Sequence, residues 1–342
     1  RQAQCRCGGK VIAAIMADQW FIDYNSAGWK EKSFECLKEM KVYPEKYRKQ
    51  FEDIFNWLDK RPCARRRGLG TQMPFNNEWI IESLSDSTIY MSFYTIIKEI
   101  RGNKIKSEQL TEDFFDFIYL GRGEPKDVAK KTKIKQAALE KIRGEFLYWY
   151  PMDLRHTAIA HVSNHLSFFV FAHTAIFGKE HWPKAITLND LLISEGKKMS
   201  KSKGNVILLN SISKTIGSDL FRLYCAHSAD FGSVLDYKGK DAQAGRKTFL
   251  KYVSAVRELN AVKESKAESE QTSLSNWMVS KFESTLRDST NALGNTGFAI
   301  TFKHRFSTCL TRTITSSSAR RAGRRLLLRK KYWESGRCYC AR

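Results

Sequence analysis

Between residues 146 and 193 the chain reads as strand, long apolar helix, strand. Residues 146–150 are a compact aromatic run that ends at Pro151, and residues 162–177 are apolar over a helical length. Residues 185–193 are rich in Ile and Leu. That succession, at that spacing, is a βαβ unit. Its two strands must lie parallel, joined by a right-handed crossover. The chain is therefore expected to be α/β, built on a parallel sheet.

Around this unit the chain has a clear order. Residues 1–24 carry short strand-like runs bounded by Gly8-Gly9 and Asn25. Residues 29–40 predict an amphipathic helix, and Pro44 sits just inside the start of a second one. Residues 61–75, with Gly68 and Gly70, read as loop, and residues 79–100 pass into an aromatic-rich helix. Residues 101–143 are charged and read as a helical insertion, with good helix formers over 126–143. Helices dominate from 208 to about 293. No run of about 18 apolar residues exists, which excludes an ordinary membrane span. Hydrophobic residues at 42% exclude wholesale disorder.

Charge is uneven. With 58 basic and 36 acidic residues the net charge is +22. Residues 301–342 hold 12 basic residues and one acid, Glu334, so half of the excess is in the tail. A surplus of this size suits a polyanion such as RNA, or simply a solvated surface. The tail has neither helical nor strand period. Two readings stand for it: a disordered RNA-binding arm, or a stretch out of frame. The 8 cysteines are scattered, and a chain this long needs no disulfide framework, so they are read as reduced and the chain as cytoplasmic.

The residues with the most chemistry are KKMSKSKGN, 197–205, placed between a strand and a helix. Lys198 and Lys201 put two ammonium groups on one loop, with Met199 between them and Ser200 and Ser202 as hydroxyl donors. Lysines act as flexible point charges on phosphates. They contribute most where negative charge grows in a transition state, as on departing pyrophosphate.

These residues resemble a known family. Lys198-Met199-Ser200-Lys201-Ser202 is similar to the second signature of class I aminoacyl-tRNA synthetases. The strings at 18–24 (DQWFIDY), 63–75, 78–95, 150–157 (YPMDLRHT) and 164–169 (NHLSFF) resemble leucyl-tRNA synthetases of the archaeal and eukaryotic type, in that family's order. The resemblance runs from about Cys5 to about Leu293 and implies a Rossmann-like catalytic domain followed by a helical region. It implies ATP and Mg²⁺ as cofactors, and leucine and tRNA(Leu) as partners. The activity implied is ATP-driven activation of leucine followed by transfer to tRNA. Lys198 and Lys201 would be catalytic, and 198–202 would bind ATP.

The resemblance also assigns Ser87, Tyr90, His161 and His165 to the amino-acid pocket. His161 and His165, at i and i+4, share one helical face. From the residues alone, surface or core histidines and a metal pair are alternatives. No HExxH glutamate or third ligand is evident, and no metal is assigned. Cys5-x-Cys7 reads as half a zinc knuckle or as plain thiols, and Arg65-Arg66-Arg67 as a tRNA contact, a loop-shaping element or solvated surface.

Two departures matter. Where the family carries a Gly-x-acid element for the ATP ribose, this chain has Ala158-Ile159-Ala160, and no His-x-Gly-His first signature occurs. An N-terminal synthetase half is therefore expected as a partner. The implied layout is 1–60 as the exit of an inserted editing region and 61–206 as the second catalytic half. A linker over 207–240, the start of an anticodon-binding bundle over 241–300, and the tail follow. The alternative is a non-catalytic, basic RNA-binding fragment or degenerate paralogue.

Overall fold

A computed structural model describes residues 3–5, 7–13, 15, 17–200, 204–260 and 273–294. The chain divides into two compact units, residues 1–187 and a second beginning at Leu188. The expectation for the tail, 301–342, falls outside the described residues.

In the first unit a three-stranded sheet has the order Lys41–Tyr43, Ala185–Asn189, Arg155–Ala158. Ala185–Asn189 runs parallel to Lys41–Tyr43, with Ile186 opposite Val42. Its residues 185–188 are all buried, as expected for a strand covered on both faces. Arg155–Ala158 and Ala185–Asn189 lie side by side and flank helix Ser167–Ile176, so the strand–helix–strand unit is present.

Its first strand is not the one the aromatic run suggests. Residues 146–149 are the last turn of helix Gln136–Trp149. Leu139, Ile142 and Phe146 are fully buried along one stripe at spacings of three and four. That helical period overrides the strand preference of aromatic residues. The sheet strand is instead Arg-His-Thr-Ala at 155–158, which has no apolar run to mark it. The run at 185–193 likewise forms two strands rather than one. After Ala185–Asn189 the chain turns at Asp190, whose carboxylate accepts from Leu191 N at 2.8 Å, and Leu192–Ser194 joins a different sheet.

Three helices cover the parallel sheet through an aromatic cluster. Trp29–Glu39 and Arg48–Trp57 pack on Ser167–Ile176. Tyr24 stacks on Trp29 and Phe168 at 5.2 and 5.3 Å, and Phe55 meets Phe171 edge-on at 5.0 Å. Polar groups inside the cluster are paired. Trp29 Nε1 donates to the Phe171 carbonyl at 2.8 Å, and the Ser33 and Thr174 hydroxyls lie 3.0 Å apart.

Residues 61–75 are not all loop. Ala64–Arg65 and Gln72–Met73 each pair antiparallel with Asn76–Ile81, seating Trp79 against Cys63, Ala64 and Met73. Strands of two residues are too short to show a period in the sequence. Gly70 is required where it stands, because a Cβ there would lie 2.6 Å from Ile80 Cγ2. Arg65 Nη2 donates to the Leu69 carbonyl at 2.5 Å, and the Arg66 guanidinium lies 4.6 Å above Trp79. Two of the three consecutive arginines thus shape this hairpin.

The helical insertion has its own core, centred on Phe114, Ile118, Leu139, Ile142 and Phe146. The helix expected over 126–143 is broken at Lys133, where φ is 57°, into Pro125–Thr132 and Gln136–Trp149. Arg143 Nη1 donates to the Phe117 and Ile118 carbonyls at 2.8 and 2.9 Å, tying the preceding π turn to the second of these helices.

In the second unit Leu192–Ser194 pairs antiparallel with Lys197–Lys198 and parallel with Leu235–Tyr237. Helices Leu209–Thr215, Ser218–Ser228, Gly239–Asn260 and Ser273–Gly294 follow the loop. Among the described residues no helix is long and apolar enough to cross a membrane.

The insertion core gives a direct test. Phe146 is fully buried and contacts the rings of Tyr119 and Tyr150 at 4.9 and 5.0 Å. Phe146→Ala should destabilise the chain by about 3–5 kcal/mol. Urea unfolding at pH 7 measures this, and a loss under about 1 kcal/mol would place Phe146 outside the core.

Candidate amino-acid and phosphate sites

Strand Arg155–Ala158 leads through a 3₁₀ turn, Ile159–His161, into a π turn, Val162–Leu166, before helix Ser167–Ile176 begins. A π turn carries an extra residue per turn and is frequent at functional sites. Here it carries His165, which is 7% exposed. His161 and His165 come together as expected, with ring centroids 6.2 Å apart at 87°.

Opposite them is the segment after strand Asn76–Ile81. Glu82 caps the short helix Ser83–Asp86 by accepting from Leu84 N at 2.7 Å. This presents Ser87, and Tyr90 then opens helix Tyr90–Gly102. Ser87 Oγ lies 3.1 Å from His165 Nδ1.

Arg155 joins the two segments, although nothing in its motif string singles it out. Its Nη2 is 2.7 Å from His165 Nε2, and its Nη1 donates to Tyr90 OH at 3.2 Å. The guanidinium also lies over the rings of Tyr90 and Phe169, at 5.6 and 5.5 Å. Three of the four residues assigned to the amino-acid pocket, Ser87, Tyr90 and His165, therefore form one network through an arginine that the sequence reading missed. The signal for it was a lone arginine at the start of an extended segment that runs into the histidines.

Burial first, and then the Arg155 charge, push the His165 pKa down to about 4. His173, one layer deeper, is also pushed down to about 4, chiefly by burial. Its Nδ1 donates to the Phe169 carbonyl at 2.8 Å, and Nε2 accepts from Tyr150 OH. Two buried polar atoms in this region have no partner, Arg155 Nε and His161 Nδ1. An unsatisfied buried donor or acceptor costs about 1–3 kcal/mol. Ala158 ends the strand and Ala160 lies exposed in the 3₁₀ turn. Neither has a side-chain acceptor.

In the second unit the lysine loop grows out of a tight hairpin. Glu195 and Gly196 both have positive φ, 50° and 73°, the geometry of a two-residue type I′ turn. Gly196 N donates to Asp236 Oδ1 at 2.9 Å, anchoring the turn to the neighbouring strand. Lys198 leaves the hairpin exposed, and Met199 and Ser200 are half-buried. Asn205 bridges the loop: its Oδ1 accepts from Ser200 N at 2.8 Å, and its Nδ2 donates to the Lys198 carbonyl at 3.2 Å. Lys201 and Ser202 lie outside the described residues.

A parallel strand pair flanked by helices is a fold that the family comparison identifies. A model described as tRNA synthetases class I (I, L, M and V) matches residues 12–237, and the chain belongs to that family. Within it, the chain is similar to leucine--tRNA ligases. Identity is 51% over 296 residues with that of Staphylothermus marinus, covering 86% of this chain and 30% of the relative. It is 44% over 277 residues with that of Pyrobaculum calidifontis, covering 81% and 29%. With that of Archaeoglobus fulgidus it is 40% over 291 residues, covering 85% and 31%. The chain thus spans about 30% of the length of the curated relatives it matches. Among solved structures, Mycobacterium tuberculosis methionyl-tRNA synthetase in complex with methionyl-adenylate aligns with a TM-score of 0.59 at 15% identity. It covers 91% of this chain and 57% of that one, and the likeness is one of fold.

The two buried histidines make stability depend on pH. Unfolded histidines titrate near pH 6.5. With folded values near 4, the unfolded chain takes up protons that the folded chain refuses, so stability falls as pH drops below about 6.5. From pH 7 to pH 5, where most carboxylates remain ionised, the loss should be on the order of 2 kcal/mol for each histidine, about 4 kcal/mol together. Urea midpoints across this range measure it, and a constant midpoint would show that these histidines are not held neutral.

Proposed function

We propose that this chain is the second catalytic half of a leucine--tRNA ligase and supports ATP-dependent activation of leucine. The observation that carries the reading is the joint presence of the Lys198–Ser202 signature and the Ser87, Tyr90, His165 network in a chain 40–51% identical to leucine--tRNA ligases. In this reading the leucine carboxylate attacks the α-phosphorus of ATP. Leucyl-adenylate forms, the bond to the β-phosphate oxygen breaks, and pyrophosphate leaves. Lys198 and Lys201 act on the charge that grows on the pyrophosphate. The leucyl group then passes to the terminal adenosine of tRNA(Leu), releasing AMP.

Ser87, Tyr90, His161 and His165 are assigned to leucine, and residues 198–202 to ATP. A protein cage for Mg²⁺ does not fit. Among the described residues no three His, Cys, Asp or Glu side chains gather to hold a metal. A magnesium ion here would arrive on the ATP phosphates. No His-x-Gly-His string occurs in the 342 residues; in this reading the first signature comes from the N-terminal catalytic half, on the same polypeptide or on a separate one, and the reaction is cytoplasmic.

The experiment is ATP–pyrophosphate exchange with the chain supplied together with the N-terminal catalytic half of the Staphylothermus marinus relative. Exchange should depend on leucine, and Lys201→Ala should lower it by about 10²–10³. Leucine-independent exchange, or an unchanged rate in Lys201→Ala, would overturn the reading.

A second reading, a non-catalytic RNA-binding paralogue, draws on Ala158 and Ala160. Neither offers the ribose an acceptor, and a lost charge-assisted hydrogen bond costs on the order of 1.5–3 kcal/mol. Ala158→Gly combined with Ala160→Asp should therefore lower the KM for ATP in the same assay by about tenfold or more. An unchanged KM would show that the ribose is held elsewhere.

A further inference from the structure

We infer that Arg155 is a positioning residue that holds His165 as a neutral ring protonated on Nδ1, and through it sets the hydrogen-bond polarity of Ser87 and Tyr90.

A guanidinium has five N–H donors and no acceptor. With Arg155 Nη2 at 2.7 Å, His165 Nε2 must present a lone pair. The remaining ring proton is then on Nδ1, 3.1 Å from Ser87 Oγ. Ser87 Oγ accepts from Nδ1 alongside the Leu84 carbonyl, so the serine's own hydroxyl proton is free to turn elsewhere. The same logic applies to Tyr90, whose oxygen accepts from Arg155 Nη1 at 3.2 Å and whose proton is likewise free. One cation thus determines the direction of three hydrogen-bonding groups on two separate segments.

The groups acting electrostatically on His165 agree with this arrangement. Arg155 comes from the preceding strand and His161 from the adjoining 3₁₀ turn; the facing short helix contributes the Leu84 carbonyl. Among the described residues no carboxylate counts among these influences. The guanidinium also lies over the Tyr90 and Phe169 rings, at 5.6 and 5.5 Å from their centroids.

The tautomer lock follows from geometry alone. Its consequence, a preformed wall for the aliphatic amino acid in which His165 carries no charge, rests on the reading of the site given above.

The test is ¹⁵N NMR of the full chain labelled at histidine, with the His165 signals identified by their loss in His165→Gln. In the wild-type protein at pH 7, His165 should show a protonated Nδ1 and an unprotonated Nε2, unchanged on acidification to pH 5. A protonated Nε2 in the wild type would overturn the proposal at once, because an arginine cannot bond to an N–H. In Arg155→Met, Nε2 should lose its protected lone-pair signature and the titration should move toward the ordinary histidine value of about 6.5. The His173 signals, set by Phe169 and Tyr150, serve as the control for folding. An unchanged His165 pattern in Arg155→Met, with His173 intact, would also overturn the proposal. If Arg155→Met loses the His173 pattern, the wild-type tautomer remains the deciding measurement.

A parallel arm measures exchange with the supplied N-terminal half. Arg155→Met should raise the KM for leucine at least tenfold while the KM for ATP stays within twofold. A tautomer change with no leucine-dependent exchange even in the wild type would leave the positioning role standing and remove the leucine reading. A changed tautomer with an unchanged leucine KM would overturn the link between the lock and the amino acid.

Discussion

The contact between Arg155 and His165 constrains more of this protein than any other single interaction. A group that can only donate meets a ring that must then accept, and the ring is buried where a charge would be costly. Because Arg155 lies on a sheet strand and His165 on the π turn that follows, the contact also fixes how the chain leaves the sheet. Ser87 and Tyr90 reach the same point from a different direction, by way of a capped short helix and the first turn of a long one. The local backbone is irregular here, a 3₁₀ turn followed by a π turn, and that irregularity places His161 and His165 edge to face.

Beneath this layer the first unit is held by aromatic packing. Tyr24, Trp29, Phe55 and Phe171 fill the space between three helices, and Trp29 Nε1 is paired with the Phe171 carbonyl. His173 and Tyr150 continue the polar thread one layer deeper. A histidine whose Nδ1 donates to a backbone carbonyl and whose Nε2 accepts from a phenol has no proton left to gain cheaply. Two buried neutral histidines, His165 and His173, make the unit sensitive to acid.

The second unit works by a different principle. The described residues of its lysine loop are held from the two ends. A type I′ turn delivers Lys198, and the Asn205 side chain holds the backbone on both sides of the residues between. Lys198, exposed at the pinned base of the loop, is free to follow charge as it moves on a phosphate.

The strand–helix–strand succession, the lysine signature and the family resemblance were legible because each is a local pattern: an apolar helix of the right length, an Ile- and Leu-rich strand, a five-residue string. Ser87, Tyr90, His161 and His165 could be named from their place in such strings. What the chain alone did not reveal depends on contacts between distant segments. The aromatic run at 146–150 looked like a strand until Leu139, Ile142 and Phe146 were seen on one buried stripe. The strand at 155–158 has no apolar signature, because its Arg155 and His156 are there for their hydrogen bonds. The role of Arg155 appears only when residues 65 and 10 positions away are brought to its guanidinium. Composition and periodicity determined the long amphipathic and apolar helices, since those depend on neighbours along the chain. Tertiary structure decided which proton sits on which nitrogen, since that depends on a partner contributed from elsewhere in the fold.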